Sequence, residues 1–139
     1  MRRVLIVDDD AAVLASLRRL LRRQCQGEFL LDTETDPVMA LDRLRRKRYD
    51  VIVADLHMPE LDGVGLLALA GLVAPQAVRL LLTGSTGFED AQRAIHEAGV
   101  FRYLTKPWDD EALVAHLRAA LVEAGRYAAP ADPMALEAV

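Results

Sequence analysis

The sequence predicts an α/β protein, built as a doubly wound, five-stranded parallel sheet in the strand order 2-1-3-4-5. Three observations point there. Short apolar runs alternate five times with longer stretches of 3.6-residue periodicity. The apolar runs read as strands hydrophobic on both faces, as expected when helices cover both sides of a parallel sheet. Right-handed crossovers then leave a doubly wound sheet as the simplest topology.

Each element has its own signal. Val4–Val7 reads as a buried strand, and Leu14, Leu17, Leu20 and Leu21 mark one face of a helix over roughly 11–25, with Asp10 as its N-cap. Phe29-Leu30-Leu31 begins the second strand. Asp36-Pro37, a cap followed by proline at the first helical position, starts a second helix lined by Met39, Ala40, Leu41 and Leu44. Val51–Ala54 is the third strand. Asp62-Gly63 supplies the turn into a short third helix carrying Val64, Leu66, Leu67 and Leu69, which stops around Gly71 and Pro75. Ala77–Leu82 and Phe101–Leu104 are the remaining strands. Between them a helix runs from Glu89 to Ala98 and ends at Gly99; the last helix starts at Asp109 or Asp110 and carries Leu113, Leu117 and Leu121.

With 139 residues, the chain can bury a core without metals or disulfides. No apolar run approaches the length of a membrane span, and Arg2-Arg3 precede only four apolar residues, which reads as a strand and not as a leader. The lone Cys25 excludes an intrachain disulfide, fits a reducing cytoplasm and is expected to pack near a helix end. A net charge of −4 argues against direct nucleic-acid binding, and Arg18-Arg19, Arg22-Arg23 and Arg45-Arg46-Lys47-Arg48 read as solvated helix faces.

The chemistry collects at the strand ends. In open α/β sheets the reactive crevice lies beyond the carboxyl ends of the strands, at the switch point. Strands 1 and 3 flank it and end in Asp8-Asp9 and Asp55; strand 4 ends in Thr83 and strand 5 near Lys106. Asp8 and Asp9 suit Mg²⁺, which prefers hard oxygen ligands. Asp55 is placed to attack a phosphoryl donor and become an acyl phosphate, with Lys106 neutralising the transferring oxygens and Thr83 bonding the product. Lys106 precedes Pro107, which biases it to extended geometry at the strand's end.

Together, Val7-Asp8-Asp9, Asp55-x-x-Met58-Pro59-x-x-Asp62-Gly63, Thr83 followed by a small residue, and Tyr103-x-x-Lys106-Pro107 resemble the receiver domain of two-component response regulators, in order and over about residues 3–125. The resemblance implies a receiver-like, flavodoxin-type (βα)5 fold. It also implies that Asp55 accepts a phosphoryl group from a sensor histidine kinase or phosphotransfer protein, with Mg²⁺ (or Mn²⁺) held by Asp9, Asp55, the His57 backbone carbonyl and, through water, Asp8. Thr83 and Tyr103 would form the switch pair, changing the surface of helix 4, strand 5 and helix 5. On this reading the domain is a cytoplasmic signalling module with self-catalysed phosphotransfer and slow autodephosphorylation, and not an enzyme. A homodimer is compatible with it. The stretch Tyr103–Glu111 resembles receivers attached to HD-GYP phosphodiesterases, hydrogenase-type transcriptional activators and some hybrid kinases. His57 and Ser85 occupy the positions that influence phosphoryl lifetime, and Gly84 replaces a common alanine, which predicts a mobile loop over Gly84-Ser85-Thr86-Gly87.

Rival readings remain. Asp8-x-Asp10 fits the nucleophile motif of haloacid-dehalogenase-type phosphatases, which would make Asp8 the nucleophile and leave Asp55, Met58-Pro59 and Asp62-Gly63 unexplained. A degenerate scaffold would not need all of the acids together with Thr83 and Lys106. His57, His96 and His116 are too scattered to suggest a metal cluster, and Trp108 reads as a packing anchor. The domain is expected over 1–126. Residues 127–139 read as a tail, or as a linker to a further domain with Asp132-Pro133 capping a new helix.

Overall fold

The computed structural model describes residues 1–84 and 88–128, without the side chains of 88, 90, 91, 127 and 128. Ten elements alternate strictly: β1 (Arg3–Val7), α1 (Ala11–Gln24), β2 (Leu30–Glu34), α2 (Pro37–Arg46), β3 (Val51–Asp55), α3 (Gly63–Val73), β4 (Val78–Thr83), α4 (Phe88–Ala98), β5 (Arg102–Thr105) and α5 (Asp110–Ala128). All strand pairs are parallel, and the order is β2-β1-β3-β4-β5.

The strand period of two divides the core between the faces of the sheet. Val4 and Ile6 of β1, Val51 and Val53 of β3, and Leu80 and Leu82 of β4 join Leu14, Leu17 and Leu21 of α1 and Leu113 and Leu117 of α5. Leu5, Val7, Ile52, Ala54 and Leu81 point the other way, onto Ala40 and Leu44 of α2, Leu66 and Leu67 of α3 and Ala94 and Ala98 of α4.

The expectation of strands apolar on both faces holds for β1, β3 and β4 and fails at the edges. In β2 (Leu-Leu-Asp-Thr-Glu) no residue is fully buried, and in β5 only Leu104 is. Edge strands have a neighbour on one side only, so half of their surface is left to polar residues.

The helix faces need similar adjustment. Of the residues expected to line α2 and α3, Ala40, Leu44, Val64, Leu66 and Leu67 are buried, whereas Met39 and Leu69 are 48% and 40% exposed. Helix α3 passes through Gly71 and ends at Val73, capped by Ala74, whose N–H bonds the Ala70 carbonyl. At Gly71 a Cβ would meet only the Arg79 guanidinium, the far end of a flexible side chain that can shift. Caps fall where the sequence puts them: Asp10, Asp36 and Asp62 accept hydrogen bonds from Ala12, Val38 and Gly65 N–H, and Asp109 from Ala112 N–H. Cys25 caps α1 and is buried. The loop 85–87 and the Asp132-Pro133 cap lie outside the described residues.

Candidate functional site

Strand order brings the predicted residues together. β1 and β3 are neighbours, so Asp8, one residue beyond Val7, stands beside Asp55, the last residue of β3. β4 and β5 extend the rim: Thr83 is in register with Thr105, and the Lys106 N–H bonds the Thr83 carbonyl at 2.9 Å. Lys106 follows β5 directly, and its peptide bond to Pro107 is cis.

The Lys106 ammonium bridges two acids. Its Nζ lies 2.8 Å from Asp8 Oδ2 and 3.0 Å from Asp55 Oδ1. Carboxylate oxygens of Asp8, Asp9 and Asp55 all lie within 4.8 Å of one another. Asp8 and Asp55 are buried, whereas Asp9 is exposed. Asp8 is fully engaged, since its Oδ1 also accepts the Asp10 N–H at 2.9 Å. Among the described residues Asp55 Oδ2 has no such commitment.

Three carboxylates around one ammonium leave the crevice net negative. Burial pushes the Asp55 carboxyl up. Lys106 pulls it down, Asp8 and Asp9 push it up again, and it ends above the ordinary carboxylate range. Burial favours loss of the Lys106 proton, but its bonds to Asp8 and Asp55 outweigh that and raise its pKa. An ion pair would normally depress the acid as it raises the base. Here the base rises and the acid does not fall, because burial of Asp55, together with the neighbouring Asp8 and Asp9 charges, outweighs the pull of the one ammonium it shares with Asp8. This excess of hard oxygen donors fits a divalent cation such as Mg²⁺, and among the described residues no other group of acids, histidines or cysteines is clustered in this way. His96 and His116 lie apart on α4 and α5.

The loop after β3 is shaped by two backbone features. Pro59 carbonyl accepts the Leu61 N–H at 2.7 Å across Glu60, whose φ is +69°, a γ-turn in the left-handed region unusual for a residue with a side chain. Gly63 then donates to the Leu56 carbonyl at 2.8 Å, and a Cβ on it would overlap the Asp55 carbonyl oxygen and lie 2.9 Å from Leu56 Cα. Asp62-Gly63 is thus more than a turn signal: the glycine lets the start of α3 rest on the backbone of Asp55. Met58 is buried beneath the loop and His57 is exposed.

Thr83 is buried and Tyr103 is 50% exposed. Thr83 closes β4, whereas Tyr103 lies inside β5, paired with Leu81 and two residues before the Thr105 that pairs with Thr83. Two residues is one side-chain repeat, so the pair shares a face of the sheet. A Cβ at Gly84 would meet only ordinary contact with Lys106 Cβ at 3.6 Å, so packing does not demand a glycine there. Trp108 packs on the α1–α5 core, as an anchor should. Sequence reasoning passed over Arg93 of α4, which bonds Asp62 Oδ2 at 2.8 Å; nothing in residues 31 positions apart announces that pair.

Comparisons with known proteins agree with this geometry. The family model of the response regulator receiver domain matches residues 4–118. The chain is 34% identical over 122 residues to the hydrogenase transcriptional regulatory protein HoxA of Cupriavidus necator, covering 88% of this chain and 24% of that one. It is 37% identical over 126 residues to the transcriptional regulatory protein PrrA of Mycobacterium leprae, covering 91% of this chain and 52% of that one. The chain thus spans a quarter to about half the length of these curated relatives. Among solved structures, the signal receiver domain of an HD domain-containing protein from Pseudomonas fluorescens superposes with a TM-score of 0.84 at 34% identity, over 90% of this chain and 98% of that one. With five parallel strands in this order and acids gathered at their carboxyl ends, the chain belongs to the response regulator receiver domains, the signalling units of two-component systems.

Proposed function

We propose that Asp55 is the phosphoacceptor. The observation that carries this is the contrast between the two buried acids: both Asp8 oxygens are engaged, while Asp55 has one oxygen on Lys106 and the other uncommitted among the described residues. That oxygen attacks the phosphorus of a phosphohistidine on a sensor kinase or phosphotransfer protein. The new P–O bond gives an acyl phosphate, and the P–N electron pair leaves with the imidazole, which takes up a proton. Asp8, Asp9, Asp55 and the His57 backbone carbonyl would hold Mg²⁺ (or Mn²⁺), which when bound neutralises phosphoryl oxygens. Lys106 is placed to move from Asp55 Oδ1 to a phosphoryl oxygen, trading one anionic partner for another. Thr83 supplies a hydroxyl to the product, and Tyr103, half exposed on the same face, follows it; the surface of α4, β5 and α5 changes with them. Water later attacks the acyl phosphate and returns Asp55 and inorganic phosphate.

The unit is taken as residues 1–126, with 127–139 as tail or linker. An attached output domain is expected: the name of HoxA suggests a transcriptional one and the Pseudomonas fluorescens neighbour an HD domain, in line with the resemblance of Tyr103–Glu111 to receivers of HD-GYP phosphodiesterases, transcriptional activators and hybrid kinases. Among the described residues no helix is long and apolar enough to cross a membrane; with the single buried thiol this supports a cytoplasmic module.

The test is direct. Acetyl phosphate with Mg²⁺ should add one base-labile phosphoryl group, read by intact mass, and Asp55→Asn should abolish it. Labelling that persists in Asp55→Asn and maps to Asp8 would restore the dehalogenase-type reading.

A further inference from the structure

Arg93 lies midway along α4, and its guanidinium reaches the far side of the helix–helix interface to donate to Asp62 Oδ2 at 2.8 Å. The same side chain lies 3.7 Å from Glu97 one turn on. Asp62 is not a surface acid like others. Its Oδ1 accepts the Gly65 N–H at 2.7 Å and so starts α3, and the next residue, Gly63, rests on the Asp55 carbonyl and bonds the Leu56 carbonyl. A continuous path therefore runs from α4 through Arg93, Asp62 and the first turn of α3 to the backbone of the acceptor.

We propose that the Arg93–Asp62 pair is a latch that fastens α4 to the acceptor loop in the resting conformation, the one seen here with Tyr103 half exposed. The inference rests on the reading of Asp55 as acceptor. Phosphorylation that shifts either the Asp55–Leu56 backbone or α4 must strain this contact, because its two ends are anchored to elements that would then move apart. Arg93 is a positioning residue in this scheme. It touches no reacting atom, and it sets how readily the domain leaves its resting state. Breaking the latch should ease activation, whereas breaking an ordinary surface ion pair should not.

A double-mutant cycle reads this on the whole chain. Asp62→Asn removes the charge while keeping an N-cap residue for α3, and Arg93→Ala removes the partner. Each variant and the double variant are titrated with beryllofluoride in the presence of Mg²⁺, and urea unfolding is measured with and without the mimic. The expected result is that either single variant binds beryllofluoride about threefold more tightly than wild type, that the double variant gains no more than the singles, and that Arg93→Lys lies between. The coupling between the two residues in unfolding should shrink when the mimic is bound. Equal beryllofluoride affinity in wild type and Arg93→Ala, or a coupling unchanged by the mimic, would make the pair a mere structural tie and overturn the latch. A wild-type protein that does not bind the mimic at all would overturn the acceptor reading itself, and the latch with it.

Discussion

Asp32 on β2 and Asp55 on β3 are carboxylates carried by strands of one sheet, and they are held in opposite ways. Asp32 is surrounded by donors: the buried Tyr49 hydroxyl at 2.6 Å, with Arg3 at 3.5 Å and Lys47 at 3.8 Å. Burial works to raise its pKa, but Tyr49, Lys47 and Arg3 prevail and hold it below the usual carboxylate range. Asp55 has one cation, shared with Asp8, and its pKa is raised. The first acid is matched to its surroundings and contributes to holding β2 against the rest of the fold. The second is crowded by like charge, a state that costs stability and that added positive charge or an electrophile can relieve. A perturbed acid in a cleft is where chemistry is expected. Several acids in this chain are ion-paired, and the comparison separates those that serve the fold from those that serve the reaction.

The largest expected effect comes from removing the cation that both crevice acids share. Lys106→Ala leaves two buried carboxylates without compensation, so phosphorylation by acetyl phosphate should slow by about 100-fold. Stability should fall by about 2–3 kcal/mol in metal-free buffer, and Mg²⁺ should restore part of the loss. Urea titrations with and without Mg²⁺ check this, and a loss of stability untouched by Mg²⁺ would mean that the cluster is not a cation site. Next in size is Asp32→Ala, which takes away the acceptor of the buried Tyr49 hydroxyl; unfolding should show a loss of about 2 kcal/mol, with phosphorylation unchanged. A large fall in phosphorylation would break the division between the two acids.

The third effect is smaller and has a sign. Asp55→Asn removes a charge that burial and the neighbouring acids both disfavour, and the variant should be more stable than wild type at pH 7. A group whose folded pKa is raised binds protons more readily in the folded state, so its ionisation costs stability above that pKa. The gain in Asp55→Asn should therefore close as pH falls towards about 4, the unfolded value. Asp32 behaves oppositely. Its folded pKa is depressed, so its contribution is present above the unfolded pKa and is lost as pH falls through the folded one. Melting curves across pH 3–7 for Asp55→Asn and Asp32→Asn should give difference profiles of opposite sign. The smallest effect is at Glu60, whose positive φ suits glycine: Glu60→Gly should stabilise the domain by up to about 1 kcal/mol. A clear destabilisation would show that the side chain matters to the loop more than its backbone angle does.

The fold was legible because each strand run and each helix stripe is written locally. Val4–Val7 and Val51–Ala54 declare buried strands, and Asp10, Asp36 and Asp62 declare helix starts; all are found where they were expected. The crevice followed from one topological rule, which carries Asp8, Asp55, Thr83 and Lys106 to the same end of the sheet. Other features had no local signature. Lys106 and Asp8 are 98 positions apart, and which acid oxygen is engaged depends on geometry that no motif encodes. Burial of the edge strands was misjudged because Leu30-Leu31 looks like Val4-Leu5 until neighbours are counted. The γ-turn at Glu60 was hidden for another reason: the chain carries a glutamate where the backbone would favour glycine, so the usual marker of a positive φ is missing.

Trp108 is the one tryptophan of the chain. It stands two residues beyond Lys106, packed on the α1–α5 core, with its indole N–H on Asp110 Oδ1 at 3.1 Å. All indole emission from this protein therefore originates beside the cation that links Asp8 to Asp55. No dye or engineered probe is needed to watch that cation respond. On the proposed mechanism Lys106 trades a carboxylate for a phosphoryl oxygen, and the segment Lys106-Pro107-Trp108 should then carry the change to a fluorophore whose intensity depends on the polarity and quenching groups around it. The proposed metal binding, acyl-phosphate formation and hydrolysis should then each change the indole signal in a stopped-flow fluorimeter on the unmodified chain, which would make a packing residue a clock for the reaction next door.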